Sequence, residues 1–423
     1  MASFSFGAGN AAKILRIPLY AAGRVLTSLV PRKADMWVMG CGVGIGDGAL
    51  ELWEYAHERG EDPLWLISSQ QEAADAARRG IRFAHKHSLR GLWSTARAGV
   101  VVVTHGFGDV NRYAVSGSFL VQLWHGIPLK RIGVDSPETL RSGILPGSRA
   151  VRRLLRFMYL SATRRIHLLP AASHLVRGRL QSAFGLADAA VPVTGEPRVD
   201  VLSRDTAVAR RARARAEISA LTGVDAAARF VLYAPTWRDG EPDPAVPTAA
   251  EWQEIVAVLN TQDAVLFVRS HPLGAGAYVP PDSTTRVKAL GSDVVLNVTP
   301  LLSGFDLLVS DYSSLVFDSS LVPLPVVYFA PDLEEYESRR GFYGTYSDVA
   351  DPDGWVTDWR AVLDDVQEIF NDGAEAARRH AQALALSKRF HAYRDGKNTE
   401  RVYRAISARA GGHGGVGAPK GRA

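Results

Sequence analysis

Cysteine is almost absent from this sequence of 423 residues, which contains only Cys41. A single thiol excludes an internal disulfide framework and a cysteine-rich zinc site, and it is typical of a reducing compartment such as the cytoplasm. Carboxylates do not cluster at the spacing of a divalent-metal cage, so we expect no metal and no cofactor. Charge of one sign is not in large excess, because 49 Lys and Arg residues oppose 44 Asp and Glu residues. That balance does not favour nucleic acid, and we predict no nucleic-acid partner.

A long uninterrupted apolar run is also missing. The N-terminal stretch from Ala11 to Val30 is broken by Lys13, Arg16 and Arg24, so it predicts neither a secretory signal nor a membrane-spanning helix. The pattern predicts a basic amphipathic helix within an N-terminal segment, 1–34. This helix packs on the protein's own core or lies on a membrane surface, and the sequence favours neither. Its polar stripe comprises Lys13, Arg16, Tyr20, Arg24 and Thr27, and its apolar stripe Leu15, Leu19, Ala22, Leu26 and Leu29.

Apolar residues make up 47% of the chain and occur as short runs between helical stretches. This alternation predicts an α/β fold of parallel sheets covered by helices. We expect two doubly wound, Rossmann-like domains, 35–185 and 186–373, which bind ligand in a cleft at the carboxyl ends of their strands. A helical segment, 374–409, can cross back onto the first domain, and 410–423 has no pattern that packs. The predicted strands begin at Met36, Leu64, Val100 and Phe119, and then at Phe230, Ala264, Val294, Phe305 and Pro325.

A histidine stands just beyond one of these strands, in the sequence Leu123-Trp124-His125-Gly126. The imidazole has a pKa close to neutrality and is suited to taking a proton from a hydroxyl group. A structural histidine bonded to loop backbone is an equally open interpretation.

Polar residues also follow strands of the second series. Arg269 and His271 end one strand and offer a fixed positive charge and an imidazole to a diphosphate. The Tyr233-Ala234-Pro235-Thr236 sequence ends another.

The third and strongest of these clusters is Ser310-Asp311-Tyr312-Ser313-Ser314. We expect Asp311 to cap the helix that follows, and Ser313 and Ser314 to form an anion site with the free N–H groups of that helix. A capping role without a ligand is the alternative. Three polar clusters at successive strand ends favour a phosphate-binding site.

A basic patch lies between the two predicted domains. Its arginines can share one helical face beside apolar residues, and could meet a phosphate-rich polymer or anionic lipid headgroups. A solvated helix face is the other interpretation, although the sequence slightly favours contact with an acceptor or a membrane. The patch comprises Lys130, Arg131, Arg141, Arg149, Arg152, Arg153, Arg156, Arg164 and Arg165.

The ordered motifs of this chain resemble the CDP-glycerol glycerophosphotransferase family of teichoic-acid synthesis, and the resemblance runs from about Met36 to Arg409. They are WHGIPLKRIG from Trp124, TGEPRVD from Thr194, YAPTWRD from Tyr233, RSHP from Arg269, DLLVSDYSS from Asp306 and YESRRGFY from Tyr336.

This resemblance implies a GT-B-like fold and an enzyme that moves glycerol phosphate from CDP-glycerol to a hydroxyl of a teichoic-acid-like or capsular polymer, with CMP as leaving group. The implied partners are CDP-glycerol or a related CDP-polyol, a polyanionic or lipid-linked glycan acceptor, and the inner face of a bacterial cytoplasmic membrane, to which the protein binds peripherally. Two rivals remain: a GT-B nucleotide-sugar glycosyltransferase or epimerase, and a non-catalytic polymer-binding protein.

On the matching positions, the resemblance makes His125 the candidate base and sets His271 and Arg269 against the donor diphosphate. The remaining candidates are Ser313 and Ser314 for the phosphates, Asp311 and Asp318 as their supports, and Trp124, Gly126, Lys130, Thr236 and Arg340 as further substrate-binding residues. Near Gly46-Asp47-Gly48 the chain departs from the Asp-Asn-Ser-like segment that family members often carry, which leaves the ligand contacts of the first domain open.

Overall fold

The computed structural model of the chain describes residues 17–140, 148–238, 241–270, 278–281, 284–352 and 354–413. These residues divide into two compact units. The first unit takes its described residues from Met1–His125, Ile132–Arg198 and Lys397–Ala423, and the second from Gly126–Arg131 and Val199–Gly396. The first unit thus extends beyond the boundary at residue 185 that the sequence suggested.

Strands and helices alternate along the chain. The strands are β1 Lys33–Met39, β2 Leu64–Ile67, β3 Phe83–His85, β4 Ala98–Val103, β5 Phe119–Gln122, β6 Arg229–Ala234, β7 Ala264–Val268, β8 Val287–Ala289, β9 Leu307–Ser310, β10 Val326–Phe329 and β11 Trp355–Val356. The helices are α1 Ile17–Ser28, α2 Asp47–His57, α3 Gln70–Arg78, α4 Leu89–Arg97, α5 Arg149–Thr163, α6 His174–Phe184, α7 Ala207–Thr222, α8 Ala249–Thr261, α9 Leu315–Ser319, α10 Leu333–Arg340, α11 Ser347–Ala350, α12 Trp359–Asn371, α13 Gly373–Phe390 and α14 Asn398–His413. Short 3-10 turns occupy Phe107–Asp109, Gly133–Asp135, Pro137–Leu140, Asp188–Ala190, Pro197–Leu202 and Thr299–Gly304.

The described part of the first unit contains one sheet of five parallel strands in the order β3-β2-β1-β4-β5. Its central strands contain continuous apolar runs, 36–39, 64–67 and 100–103, as expected for a parallel sheet covered on both faces. In this order the direction of chain progression reverses beside β1. The carboxyl ends of β1 and β4 therefore lie at the switch point where open α/β sheets bind ligands.

In the second unit, the described strands form a six-stranded parallel sheet in the order β11-β10-β9-β6-β7-β8. Here β6 pairs with β9 on one side and β7 on the other, so the switch point lies beyond Ala234 and Ser310, the last residues of β6 and β9. The two sheets confirm the predicted α/β class.

The last two helices of the chain belong to different units. Leu386 and Phe390 of α13 are buried in the second unit, where Phe390 contacts Phe317 at a ring-centroid distance of 4.5 Å. In α14, Val402 and Ile406 are fully buried in the core of the first unit. Of the segment predicted to cross back, α14 therefore packs with the first unit and α13 does not.

One predicted strand, VVLNV from Val294, is wrong. Val294 and Val295 instead form a turn whose N–H groups donate to the Gly291 carbonyl. The carbonyls of Val295 and Leu296 accept from the Arg269 guanidinium at 2.9 and 3.1 Å. Because these two carbonyls bond an arginine side chain and not a neighbouring strand, this apolar run forms a loop.

The N-terminal helix α1 contacts the rest of the first unit through Tyr20, Gly23 and Thr27, whereas Arg24 of the predicted polar stripe is exposed. Thr27 is buried, Tyr20 contacts Tyr113 at a ring-centroid distance of 5.0 Å, and a Cβ at Gly23 would approach the Tyr113 carbonyl oxygen to 2.6 Å. Three apolar residues are exposed as well: Leu19, Val25 and Leu29, at 58, 62 and 77%. Lys13, Leu15 and Arg16 lie outside the described residues. Among those described, no helix combines the length and apolar content needed to cross a bilayer.

Arg32, which follows α1, ties this region to the core of the first unit. Its guanidinium donates to the carbonyls of Thr95 and Ala98 at 2.8 and 2.9 Å, and also to those of Ala114 and Ser116. Burial and the nearby Arg165 lower the pKa of Arg32 to about 10. Arg32 is therefore a structural anchor.

Candidate functional site

The candidate site of the first unit is built from loops that leave the sheet at its carboxyl edge. β4 and β5 end in register, with Val103 opposite Gln122. Thr104 and His105 directly follow β4, and His125 lies shortly beyond the end of β5, so these residues emerge side by side.

His125 stands in a strained turn. Trp124 before it has φ 63°, a left-handed backbone that is rare for a bulky residue, and Gly126 after it has φ 132°. Such strain persists only where the surroundings impose it, and it concentrates at functional sites. The Trp124 ring contacts the His125 ring at a centroid distance of 4.1 Å and meets Phe184 edge-on at 5.0 Å. Trp124 is 8% exposed, so it supports His125 from within the protein.

The hydrogen bond of His125 sets which of its nitrogens can act. Nδ1 lies 3.4 Å from the Thr104 carbonyl oxygen, which can only accept, so Nδ1 carries the proton and Nε2 holds the lone pair. No described residue bonds Nε2. Burial, and then the neighbouring His105, lower the pKa of His125 well below its ordinary value. The imidazole is thus neutral at pH 7 and able to accept a proton.

His105 lies parallel to His125, with ring centroids 4.2 Å apart and planes 3° from parallel. It also belongs to a group that could hold a metal ion, since ligand atoms of Cys41, Asp47 and His105 all lie within 4.8 Å of one another. Arg198 already pairs with Asp47 at 3.1 Å, and burial raises the pKa of the Cys41 thiol, which disfavours the thiolate that a metal needs.

These residues escaped the sequence prediction, although a signal for them was present. Thr104 and His105 directly follow the predicted strand from Val100, at the same sheet edge as His125. Asp47 was noted only as part of a departure from the family pattern.

The second unit places two loops at its switch point. Asp311, directly after β9, accepts from the Thr236 N–H, with both carboxylate oxygens 3.0 Å from that nitrogen, and from the Tyr312 N–H at 2.6 Å. The expectation that Asp311 caps a helix is wrong, because α9 begins at Leu315 with Ser314 as N-cap and without a side-chain capping bond. Asp311 instead joins the ends of β6 and β9.

A buried arginine completes this junction. Arg238 donates to Asp311 at 2.7 Å and to Asp332 at 2.8 Å, and its guanidinium lies 5.0 Å from the Tyr312 ring centroid. Burial alone would lower the pKa of Arg238, but Asp311 and Asp332 outweigh it and raise the pKa. The Tyr312 hydroxyl donates to the same Asp332 at 2.8 Å. The two carboxylates and the cation hold both loops rigidly.

Hydroxyl groups on these loops remain available to a ligand. The Oγ1 of Thr236 is buried and has no partner among the described residues. Among the described residues, the Ser313 hydroxyl accepts only from the Leu315 N–H, at 3.3 Å, and the half-buried Ser314 hydroxyl makes no bond. A buried hydroxyl without a partner is costly and marks where a ligand atom or water can bind.

The Arg269 guanidinium forms most of its hydrogen bonds with the protein's own backbone. It donates to the carbonyls of Leu290 at 3.0 Å, Val295 at 2.9 Å and Leu296 at 3.1 Å, and burial lowers its pKa to about 10. Two of its five N–H groups make no bond to a described residue. His271 lies outside the described residues.

The other candidates are distributed through the second unit. Lys130 lies in the 126–131 segment, with Nζ 5.9 Å from the Tyr336 ring centroid, and Arg131 beside it donates its N–H to the Gly341 carbonyl at 3.0 Å. Asp318 is buried within α9, and Arg340 is half-buried at the end of α10.

Known proteins resemble this chain along most of its length. Residues 42–408 match the model of the family described as CDP-Glycerol:Poly(glycerophosphate) glycerophosphotransferase. A teichoic acid glycerol-phosphate transferase of Staphylococcus aureus is 24% identical over 93% of this chain and 98% of its own length. A teichoic acid glycerol-phosphate primase of Bacillus subtilis is 23% identical over 68% of this chain and 67% of its own length.

Solved structures share the fold. The wall teichoic acid polymerase TagF superposes with a TM-score of 0.74 at 21% identity, over 95% of this chain and 97% of the TagF chain. A UDP-GlcNAc 2-epimerase from Neisseria meningitidis gives a TM-score of 0.53 at 12% identity, over 88% of this chain and 99% of its own. The predicted GT-B-like architecture is therefore confirmed.

Proposed function

The chain belongs to the CDP-glycerol:poly(glycerophosphate) glycerophosphotransferase family and is a transferase, and on that premise we propose how it moves glycerol phosphate from CDP-glycerol to an acceptor hydroxyl. The observation that carries the proposal is the geometry of His125, whose Nδ1 faces the Thr104 carbonyl oxygen while Nε2 makes no bond to a described residue.

In the proposed reaction, Nε2 of His125 takes the proton of the acceptor hydroxyl as its oxygen attacks the phosphorus that bears glycerol. The bond from that phosphorus to the bridging oxygen breaks, and CMP leaves with the bonding electrons. The acceptor then carries a new phosphodiester to glycerol, and His125 carries the proton until solvent removes it. In this scheme the first unit is the acceptor side.

We assign binding of the CDP-glycerol donor to the second unit. The hydroxyls of Thr236, Ser313 and Ser314 and the two remaining N–H groups of Arg269 are the groups that would bind the diphosphate, together with His271 from outside the described residues. Asp311 and Arg238 would act indirectly by fixing the Thr236 and Ser313 loops. Such preorganised donors stabilise the charge that moves onto CMP. Lys130 and Arg340 are proposed as further cations for the donor or acceptor phosphates.

For the acceptor we propose a teichoic-acid-like or capsular polymer, presented as a lipid-linked glycan. Its phosphates fit the basic face of α5, where the exposed arginines have no acidic partner among the described residues. These arginines are Arg149, Arg152, Arg153 and Arg156.

We also propose that the enzyme works in the cytoplasm on the inner face of the membrane. On α5, Leu155, Tyr159 and Thr163 are buried, whereas Leu154 and Phe157 point away from them and are 57 and 67% exposed. Exposed apolar side chains beside arginines suit the headgroup region of an anionic membrane. The exposed apolar residues of α1 would add to this surface.

The test is release of CMP from CDP-glycerol in the presence of a lipid-linked glycerol-phosphate primer, with CDP-ribitol and a UDP-sugar as alternative donors. We expect acceptor-dependent release with CDP-glycerol. Turnover with CDP-ribitol alone would show that the transferred polyol is ribitol. Turnover with only the UDP-sugar would show that the protein is a nucleotide-sugar enzyme. Binding of the primer without turnover of any donor would indicate a polymer-binding protein.

A further inference from the structure

We propose that His105 is a positioning residue for the proposed base: its ring is the flat support that holds the His125 imidazole in the orientation needed for proton transfer. The inference rests on the proposed function of His125, and it assigns a role to a residue outside the motifs that identify the family.

The geometry between the two rings is the first support. Their centroids are 4.2 Å apart and their planes differ by 3°, so the rings lie face to face. The hydrogen bond from Nδ1 of His125 to the Thr104 carbonyl is long at 3.4 Å, against about 2.9–3.0 Å for an ordinary bond. That bond sets the tautomer but restrains the ring weakly, so the ring orientation of His125 depends more on its ring contacts, with Trp124 at 4.1 Å and with the parallel His105 at 4.2 Å.

The second support is that His105 is itself held firmly. Its backbone N–H donates to Oδ2 of Asp109 at 2.7 Å, and its Nδ1 lies 2.8 Å from Oγ1 of Thr104. The same Asp109 oxygen accepts from the Thr104 N–H at 2.9 Å. A Cβ on Gly42 would lie only 2.5 Å from Cγ of His105, so the chain passes this ring at a distance that only glycine permits. His105 is thus fixed on more than one side.

The surroundings of His105 favour the neutral form of its imidazole. Burial, the largest effect, lowers the pKa of His105, and Arg198 lowers it further, while Asp109 and Asp47 oppose the shift. The buried Cys41 thiol also lies close to this ring, with its sulfur within 4.8 Å of a ring nitrogen of His105. Two face-to-face imidazolium ions would repel each other, so a neutral His105 leaves His125 free to gain the proton during the reaction.

The experiment compares His105→Ala and His105→Phe with the wild type, each also in the His125→Ala background. An offset aromatic stack is worth a free energy that corresponds to roughly a 2- to 10-fold change in population. We therefore expect His105→Ala to lower kcat by about that factor with an unchanged KM for CDP-glycerol, and His105→Phe, which keeps a flat ring, to restore most of it. Because His105 acts through His125, its removal should have no further effect once His125 is alanine.

A readout independent of turnover is the NMR signal of the His125 Cε1–H in histidine-labelled protein, assigned by its loss in His125→Ala. Stacking on His105 should displace this signal upfield, and His105→Ala should return it toward the position of a free imidazole. The exposed His87→Ala is the matched control and should change neither kcat nor this signal. Unchanged thermal unfolding of His105→Ala would show that the fold is intact.

Three results would overturn the proposal. One is a wild-type kcat, or an unmoved His125 signal, in His105→Ala. Another is that His105→Ala lowers kcat by the same factor in the His125→Ala background as in the wild type, which would mean that His105 acts on its own. The third is a cobalt–thiolate absorption band together with loss of turnover on chelation, which would make His105 a metal ligand beside Cys41 and Asp47. A wild type that is silent with CDP-glycerol but shows the displaced signal would instead contradict the proposed donor and leave the stacking intact.

Discussion

Removing the charge of Arg238 should strongly destabilise the second unit. The Arg238 side chain is 4% exposed, and its partners Asp311 and Asp332 are 3 and 14% exposed. The change Arg238→Met keeps much of the side-chain volume but leaves two carboxylates in a buried site without their cation. Breaking a buried ion pair by removing one partner costs about 3–5 kcal/mol.

For a unit of this size, that loss corresponds to a decrease of roughly 6–20 °C in the midpoint of thermal unfolding. Differential scanning calorimetry at pH 7 measures it. A lone buried carboxylate relieves its cost by taking up a proton, so the difference from wild type should narrow as the pH falls from 7 to 5.

The matched control is Arg339→Met, because Arg339 is 52% exposed and pairs with Glu335 at 2.7 Å. An exposed ion pair contributes about 0–1 kcal/mol, so this variant should unfold close to wild type. Equal midpoints for wild type and Arg238→Met would refute the view that this ion network holds the loops of the donor site together.

Four further predictions follow from the site and the surface. Because burial and a neighbouring imidazole lower the pKa of His125, kcat/KM should stay level as the pH falls from 8 to about 6.5 and decline only below that; a decline that begins above pH 7 would contradict a neutral base. Turnover should persist in EDTA, and complete loss that magnesium reverses would overturn metal-independent chemistry. Thr236→Val removes a hydroxyl that has no partner among the described residues, so the melting temperature should hold or rise while KM for CDP-glycerol increases about 3- to 10-fold; an unchanged KM would remove Thr236 from the donor site. Phe157→Glu should weaken binding to anionic vesicles by about tenfold or more, measured by flotation, whereas Leu384→Glu on α13 should not; equal binding of both variants would exclude α5 from the membrane surface.

The sequence could predict the long buried strands because each is a compact run of Val, Leu and Ile between helical stretches. It missed β3, β8 and β11, which comprise three, three and two residues. Such short strands carry too few alternations to be recognised, and the pairing that makes them strands comes from neighbours distant in sequence.

Long-range partners also explain which contacts at the site the sequence could not predict. Asp311 follows a strand and precedes a helix, which is the pattern of a cap, but its partners are Thr236 and Arg238 on the loop that follows β6. Arg269 lies where a ligand cation is expected, yet its guanidinium binds carbonyls of the 290–296 segment. Local pattern indicates which residues emerge at the sheet edge, and only the fold decides which of them bind each other.

The most direct test of the account is the formation of glycerol-phosphate-extended acceptor from labelled CDP-glycerol and a lipid-linked primer by wild type, His125→Ala and the exposed His380→Ala. We expect wild type and His380→Ala to form product at equal rates, while His125→Ala loses at least about a hundredfold in kcat with its fold intact. Product formation by His125→Ala at the wild-type rate would contradict the central claim that His125 is the base of the transfer.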